Sequence, residues 1–284
     1  MNELTQKSYA KINLCLHVLK RLPNGYHLIS SLMQRVALHD EVMLRIAHSG
    51  IKVETNWAEL NEELEQNTAK KAAQLFFLHT DIRAGIEIFI HKNIPHQAGL
   101  GGSSSNAAAV IDALDKMFET KLSYVDKCAL ALQVGADVPF FIQGSGTAKV
   151  EGIGEKITML PAIPPKDILI VKPPFGVSTK EAYEELQPAL FDETDCTQAL
   201  YAAYLQSDYK TIDQCTMNTF EINTKHREQI LQIKKEYKES NAITSLMSGS
   251  GSAVFAVFSS REMCYNAYQK MRLRNEEIFI TTFC

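Results

Sequence analysis

Between Pro95 and Asn106 the chain reads Pro-His-Gln-Ala-Gly-Leu-Gly-Gly-Ser-Ser-Ser-Asn. Gly99, Gly101 and Gly102 allow a backbone to curl with its amides turned inward, and Ser103, Ser104 and Ser105 offer hydroxyls to an anion or to magnesium, a hard cation that prefers oxygen. An apolar, strand-like stretch at 86–90 precedes this run. An Ala-rich stretch follows it, with Val110, Leu114 and Met117 at helical spacing. Strand, loop, helix is the order that points the free amides and the positive end of a helix dipole at one place, where a phosphate is held. The loop lacks both the Gly-Lys-Ser/Thr ending of a Walker loop and the Gly-x-Gly-x-x-Gly spacing of a dinucleotide turn. The competing reading is a flexible Gly/Ser linker, which the flanking strand and helix argue against.

Three other places carry side chains suited to phosphoryl transfer. In Ser8–Val18, Ala10, Ile12, Leu14, Leu16 and Val18 alternate with Lys11, Asn13 and Cys15, so Lys11 and Asn13 share the polar face of a strand. On that segment alone a solvent-facing strand edge is the favoured reading. Asp137, in Gly135-Ala136-Asp137-Val138-Pro139, fits the N-cap of a short helix with Pro139 in its first turn. Transfer of phosphate to an alcohol needs a group to take the hydroxyl proton and a cation to steady the moving charge, and a carboxylate and a lysine would supply both. Gly25-Tyr26-His27 sets a stacking ring and a hydrogen-bonding ring beside the turn Pro23-Asn24-Gly25. Ser248-Gly249-Ser250-Gly251-Ser252 is a second Gly/Ser loop, as compatible with a plain connection as with a ligand loop.

The elements that would position these groups follow from periodicity and punctuation. Strands are expected at 8–18, 29–38, 41–46, 86–90, 168–172, 253–258 and 277–283, with a hairpin from Gly146 to about 160. Helices are expected at 67–77, 104–118, 123–134, 179–187, 194–205, 224–239 and 260–273. Gly135 suits a left-handed helix C-cap. Pro161, Pro164 and Pro165 mark a boundary, giving domains 1–160 and 161–284.

Ser-Tyr-Ala-Lys-Ile-Asn-Leu at the start, Gly-Leu-Gly-Gly-Ser-Ser-Ser-Asn in the middle and Ser-Gly-Ser-Gly-Ser-Ala near the end together resemble the GHMP kinases, from about residue 8 to 258. Ala10–Leu14, Asn24–His27 and Gly135–Pro139 look like the branch that acts on a cytidine diphosphate of methylerythritol. The resemblance implies an α+β fold with a ribosomal-protein-S5-like N-terminal domain, a ferredoxin-like C-terminal domain and an active site in the cleft between them. It implies ATP and Mg2+, and phosphorylation of the substrate's 2-hydroxyl in the non-mevalonate isoprenoid pathway. By motif match Asp137 would be the general base and Lys11 the cation beside it. Pro95, His96, Gln97, Ala98, Gly99, Leu100, Gly101, Gly102, Ser103, Ser104 and Ser105 would bind ATP, with Asn67 near the adenine. Asn13 would hold the polyol, His27 would read the cytosine edge, and Tyr26 and Tyr183 would stack on the base. Ala98 and Ser103 stand where relatives often carry glycine, and Asn24 where Asp is common. Ser103 would be strained if its position needed a positive φ. The alternatives are another GHMP kinase, of homoserine or mevalonate type, and a non-catalytic module.

Bulk properties narrow the class. In 284 residues, 45% hydrophobic and 22% charged, no stretch is apolar enough to span a bilayer, and the formal charge of −4 gives no long-range attraction to nucleic acid. Lys234-Lys235, flanked by glutamates, reads as a solvated helix face. The start of the chain is polar, without a cleavable leader, which points to the cytoplasm, and a monomer or weak homodimer is expected. Six cysteines without a Cys-x-x-Cys pair offer no metal set, and they are expected to be reduced and mostly buried.

Overall fold

A computed structural model describes residues 1–57, 67–142, 146–191, 194–275 and 277–284. The fold is mixed α+β, and the chain forms two compact units that interleave along the sequence. The first comprises Met1–Ala10, His39–Ile94 and Gly101–Gly144, and the second Lys11–Leu38, Pro95–Leu100 and Ser145–Cys284. This division differs from a single cut near residue 160, because the two long strands β1 (Glu3–Arg21) and β2 (His27–Ala47) each give residues to both units.

In the first unit β3 (Ile51–Thr55) and β4 (Gly85–His91) run parallel, joined through α1 (Thr68–Thr80). Parallel neighbours need such a crossover. The other edge of β4 pairs antiparallel with Glu41–Ala47 of β2. Helix α1 starts where Asn67 Oδ1 accepts the Ala69 amide at 2.8 Å. Its buried face is Ala69, Ala72, Ala73 and Phe76, and α2 (Gly102–Phe118) repeats the same i, i+3, i+4, i+7 spacing with Ala107, Val110, Ile111 and Leu114. Alanines on both faces let the two helices approach closely above Val42, Leu44, Ile86 and Ile88. Ser123 caps α3 (Tyr124–Val134), which is followed by α4 (Val138–Ile142). Gly135 is not left-handed as expected: its φ of −177° and ψ of 156° are extended, because the chain passes straight into α4, with the Val138 amide on Gly135 O at 3.1 Å.

In the second unit β5 (Thr147–Gly152) and β6 (Lys156–Leu160) form the expected hairpin, and β5 also pairs with Ile29–Gln34 of β2. Then come β7 (Asp167–Lys172), α5 (Thr179–Glu184), α6 (Thr197–Gln206), α7 (Tyr209–Cys215), α8 (Thr219–Asn223), α9 (Arg227–Glu239), β8 (Thr244–Met247), β9 (Val254–Phe258), α10 (Arg261–Met271) and β10 (Glu277–Thr282). The last four strands form an antiparallel sheet in the order β10-β7-β9-β8. The first and third of these in sequence lie at its centre, the ferredoxin-like arrangement. Central position explains the uninterrupted apolar runs Ile168–Val171 and Val254–Phe258, which are buried throughout.

Elements missing from the sequence reading are short: β3, β8, α7 and α8 are each too brief for periodicity to register. Strands expected at 29–38 and 41–46 are one strand, continuous through Asp40. Lys235 is solvated, but Lys234 pairs with Glu221, whose other oxygen accepts the Met247 amide at 2.9 Å. All six cysteines are free, but only Cys15 and Cys264 are buried, and Cys284 is exposed. Among the described residues no helix is long and apolar enough to cross a membrane.

The close α1–α2 contact leaves no room at Ala72. Ala72→Leu should cost about 1–3 kcal/mol by overpacking, whereas Leu78→Ser, at a position 80% exposed, should change stability by about 0.5 kcal/mol or less. Urea midpoints of the two variants measure both, and equal small losses would contradict the packing described.

Candidate active site

The start of α2 belongs to the first unit. Gly101, at φ 71°, is its N-cap and has no side chain to cap with. The first helical rung runs from the Ser105 amide to Gly101 O at 2.9 Å. The amides of Gly102, Ser103 and Ser104 therefore have no acceptor within the helix, and its first turn holds no acidic residue. An anion fits there on both hydrogen-bonding and dipole grounds. Of the three serines, Ser103 is exposed, Ser104 half-buried and Ser105 buried, its Oγ accepting from Ser8 Oγ at 2.8 Å. Ser103 has ordinary helical φ, so its departure from glycine carries no strain. Its carbonyl accepts from Thr68 Oγ1 at 2.8 Å, next to the half-buried Asn67 that caps α1.

Behind this turn lies a buried polar cluster absent from the sequence reading. Asp40, with no exposed surface, accepts at Oδ1 from the amides of Asn93 and Ile94, both at 2.8 Å. At Oδ2 it accepts from Asn106 Nδ2 at 2.9 Å and from the Lys92 ammonium. Lys92 Nζ also donates to Asn106 Oδ1 at 3.1 Å, and Asn106 Nδ2 to Ser8 Oγ at 2.8 Å. The available signal was a charged residue inside an apolar strand pattern, at the point where the expected strand was broken in two. Asp137 is also in this unit, half-buried and directly before α4.

The second unit holds the first half of the loop. Pro95, Ala98 and Leu100 are buried; His96 and Gln97 are exposed. Gln97 at φ 49° and Gly99 at φ 72° take the left-handed turns. Ala98 does not, which is why alanine is accommodated there, and its carbonyl accepts the Ala253 amide at 3.1 Å. A Cβ on Gly99 would lie 2.0 Å from Ser248 O, so only glycine fits. Ser248 Oγ donates to Gly99 O at 3.0 Å, and the Lys11 amide donates to Leu100 O at 2.9 Å. The second Gly/Ser loop is thus built against the first, and Asn218 Nδ2 fixes it by donating to Met247 O and Gly249 O at 2.7 and 2.8 Å.

Lys11 and Asn13 do not lie on a solvent-facing edge: they are 4% and 1% exposed. Lys11 Nζ donates to Asn13 Oδ1 at 2.6 Å, Asn13 Nδ2 to Ser31 Oγ at 2.8 Å, and Ser31 Oγ to Cys15 O at 2.6 Å. A Cβ on Gly249 would stand 3.4 Å from Lys11 Nζ. A lysine held this way is oriented along a chain of fixed groups, and Ser31, which no motif marked, does the fixing, as Asn218 does for the second loop.

At the turn after β1, Asn24 Oδ1 accepts the Tyr26 amide at 3.2 Å, a role aspartate would fill equally. His27 is buried, stacked on Tyr183 at 5.3 Å between ring centroids and edge-on to Phe191 at 5.6 Å. Tyr26 is 59% exposed. His27 and Tyr183 are therefore brought together, and Tyr26 stands apart from that stack. Desolvation, reinforced by Arg21, holds the His27 pKa below its usual 6.5.

A family model described as the GHMP kinases N terminal domain matches residues 67–145. The chain is 41% identical to the 4-diphosphocytidyl-2-C-methyl-D-erythritol kinase of Clostridium botulinum (strain Eklund 17B / Type B), over 97% of this chain and 98% of that protein. A crystal structure of 4-(cytidine 5'-diphospho)-2C-methyl-D-erythritol kinase superposes with a TM-score of 0.85 at 28% identity, covering 99% of both chains. A mevalonate kinase of L. major in complex with R-mevalonate superposes with a TM-score of 0.76 at 17% identity, covering 99% of this chain and 97% of that one, a likeness of fold.

A lowered His27 pKa means that the folded state takes up this proton later than the unfolded chain. The resulting stability is complete above about pH 6.5 and is lost as pH falls through the folded pKa. The His27 ring should titrate below pH 6.5 in an NMR experiment, and His27→Gln should remove that share of the acid-side destabilisation. A midpoint at or above 6.5 would refute the assignment.

Proposed function

The chain belongs to the 4-diphosphocytidyl-2-C-methyl-D-erythritol kinases, a branch of the GHMP kinases, and from that membership we propose that it transfers the γ-phosphoryl group of ATP to the 2-hydroxyl of 4-diphosphocytidyl-2-C-methyl-D-erythritol. The observation that carries the proposal is 41% sequence identity, over 97% of this chain, to an enzyme of that name. The local structure agrees with a kinase: a helix start whose amides are free for phosphate, and a buried, oriented lysine.

In this reading the α2 amides and the backbone of 95–102 take the triphosphate, with Ser103 and Ser104 as the accessible hydroxyls. Those hydroxyls are hard oxygen donors of the kind Mg2+ accepts, and the ion, when bound, would neutralise phosphate charge. Asp137 takes the proton of the 2-hydroxyl as it attacks, in a single direct transfer. Lys11, its ammonium aimed by Asn13, offsets the negative charge developed in the transfer. Asn13 contacts the polyol, and Ser31 keeps its amide turned for that contact. His27, neutral at pH 7 because of its lowered pKa, offers one donor and one acceptor to the cytosine edge. Tyr26 and Tyr183 supply ring faces to the base, and Asn67 lies toward the adenine.

Supplied with ATP and Mg2+, the protein should release ADP with 4-diphosphocytidyl-2-C-methyl-D-erythritol and not with mevalonate or homoserine. Turnover on either of the latter alone would overturn the proposal. Asp137→Asn should lower kcat by about 10²–10⁴ while MgATP still binds; a rate near the parent's would remove Asp137 from the role of base.

A further inference from the structure

We infer that Asp40 is a positioning residue for ATP: acting through Lys92 and Asn106, it sets the first turn of α2 in the place where it gathers the triphosphate. The inference rests on the reading of that turn as the phosphate site.

All four lone-pair directions of the Asp40 carboxylate are occupied, two by backbone amides and two by side chains. The two amides belong to Asn93 and Ile94, the last residues before the loop begins at Pro95. The two side chains lead to its other end. Asn106 is in α2 itself, and Lys92 Nζ is so close to the helix start that a Cβ on Gly102 would lie 3.3 Å from it. Asn106 and Ser105 both bond to Ser8, which extends the cluster into β1. One buried carboxylate thus fastens the residues on both sides of the phosphate loop.

A purely structural ion pair would not need this arrangement. Buried pairs are weak sources of stability and can often be replaced by apolar residues of similar volume. What apolar residues cannot do is fix the rotation and depth of a helix start through directed bonds to its first two turns. Phosphate affinity depends on that placement, because N–H groups turned well away from the oxygens form much weaker hydrogen bonds.

Asp40→Asn separates the two ends. Its Oδ1 still accepts from Asn93 and Ile94, but an amide group now faces two donors, Lys92 Nζ and Asn106 Nδ2. The KM for MgATP should rise tenfold or more, while the KM for the cytidyl substrate stays within twofold of the parent. Lys92→Met, which leaves Asp40 bound to Asn106 and both amides, should show the same split and carries the test if Asp40→Asn does not melt cooperatively. A KM for MgATP within twofold of the parent, or both KM values rising together, would overturn the inference. If the parent neither binds MgATP nor turns over, the proposed function itself fails; if the parent binds it and the variants' KM is unchanged, only the inference does.

Discussion

A carboxylate sealed from water must find its whole complement of donors inside the protein, since an ion left short of partners in a low-dielectric interior costs several kcal/mol. Asp40 meets that demand with donors from two places in the chain: Lys92, Asn93 and Ile94 directly after β4, and Asn106 near the beginning of α2. The demand is mutual. Lys92 is itself buried, and Asn106 has both its oxygen and its nitrogen engaged, so displacing any one member leaves another unsatisfied. The helix whose first amides have no acceptor within it therefore has little freedom to slide or turn. The alanine faces of α1 and α2 allow close packing but do not set its register; the polar cluster does.

In the second unit Lys11 sits where its strand predicts a polar side chain, but that face is covered, and its ammonium donates to the side-chain oxygen of Asn13. Asn13 is itself held by a relay through Ser31 to the Cys15 carbonyl, which fixes the direction in which the ammonium is drawn. Gly99 and Gly249 are glycines for a plain steric reason: each lies where a side chain would strike the opposite loop or crowd the lysine.

How much of this was legible in the sequence depended on the range of the interaction. Local patterns carried over well: the alternation around Lys11, the helix beginning near 67, the Ala-rich helix after the glycines and the apolar runs of β7 and β9 all appear where the spacing put them. Ala98, Ser103 and Asn24, the departures from the family pattern, are explained by single backbone angles or one hydrogen bond. What could not be read was pairing between distant residues. Nothing in the residues around Asp40 announces Lys92 or Asn106, and the charge only made one strand look like two. Gly135 was misjudged because glycine permits a left-handed angle without requiring it. The stack of His27 on Tyr183 joins a turn to a helix more than 150 residues away, a contact no periodicity encodes.

The interleaving of the two units bears on how the chain is made. Residues 11–38 belong with β5 to β10, which are synthesised more than 100 residues later. At about 5–20 residues per second of synthesis, the apolar strand segments around Lys11 and Ser31 wait for tens of seconds before their partners exist. During that interval they are candidates for chaperone capture, and the setting of the oriented lysine is assembled only once β5 to β10 have followed.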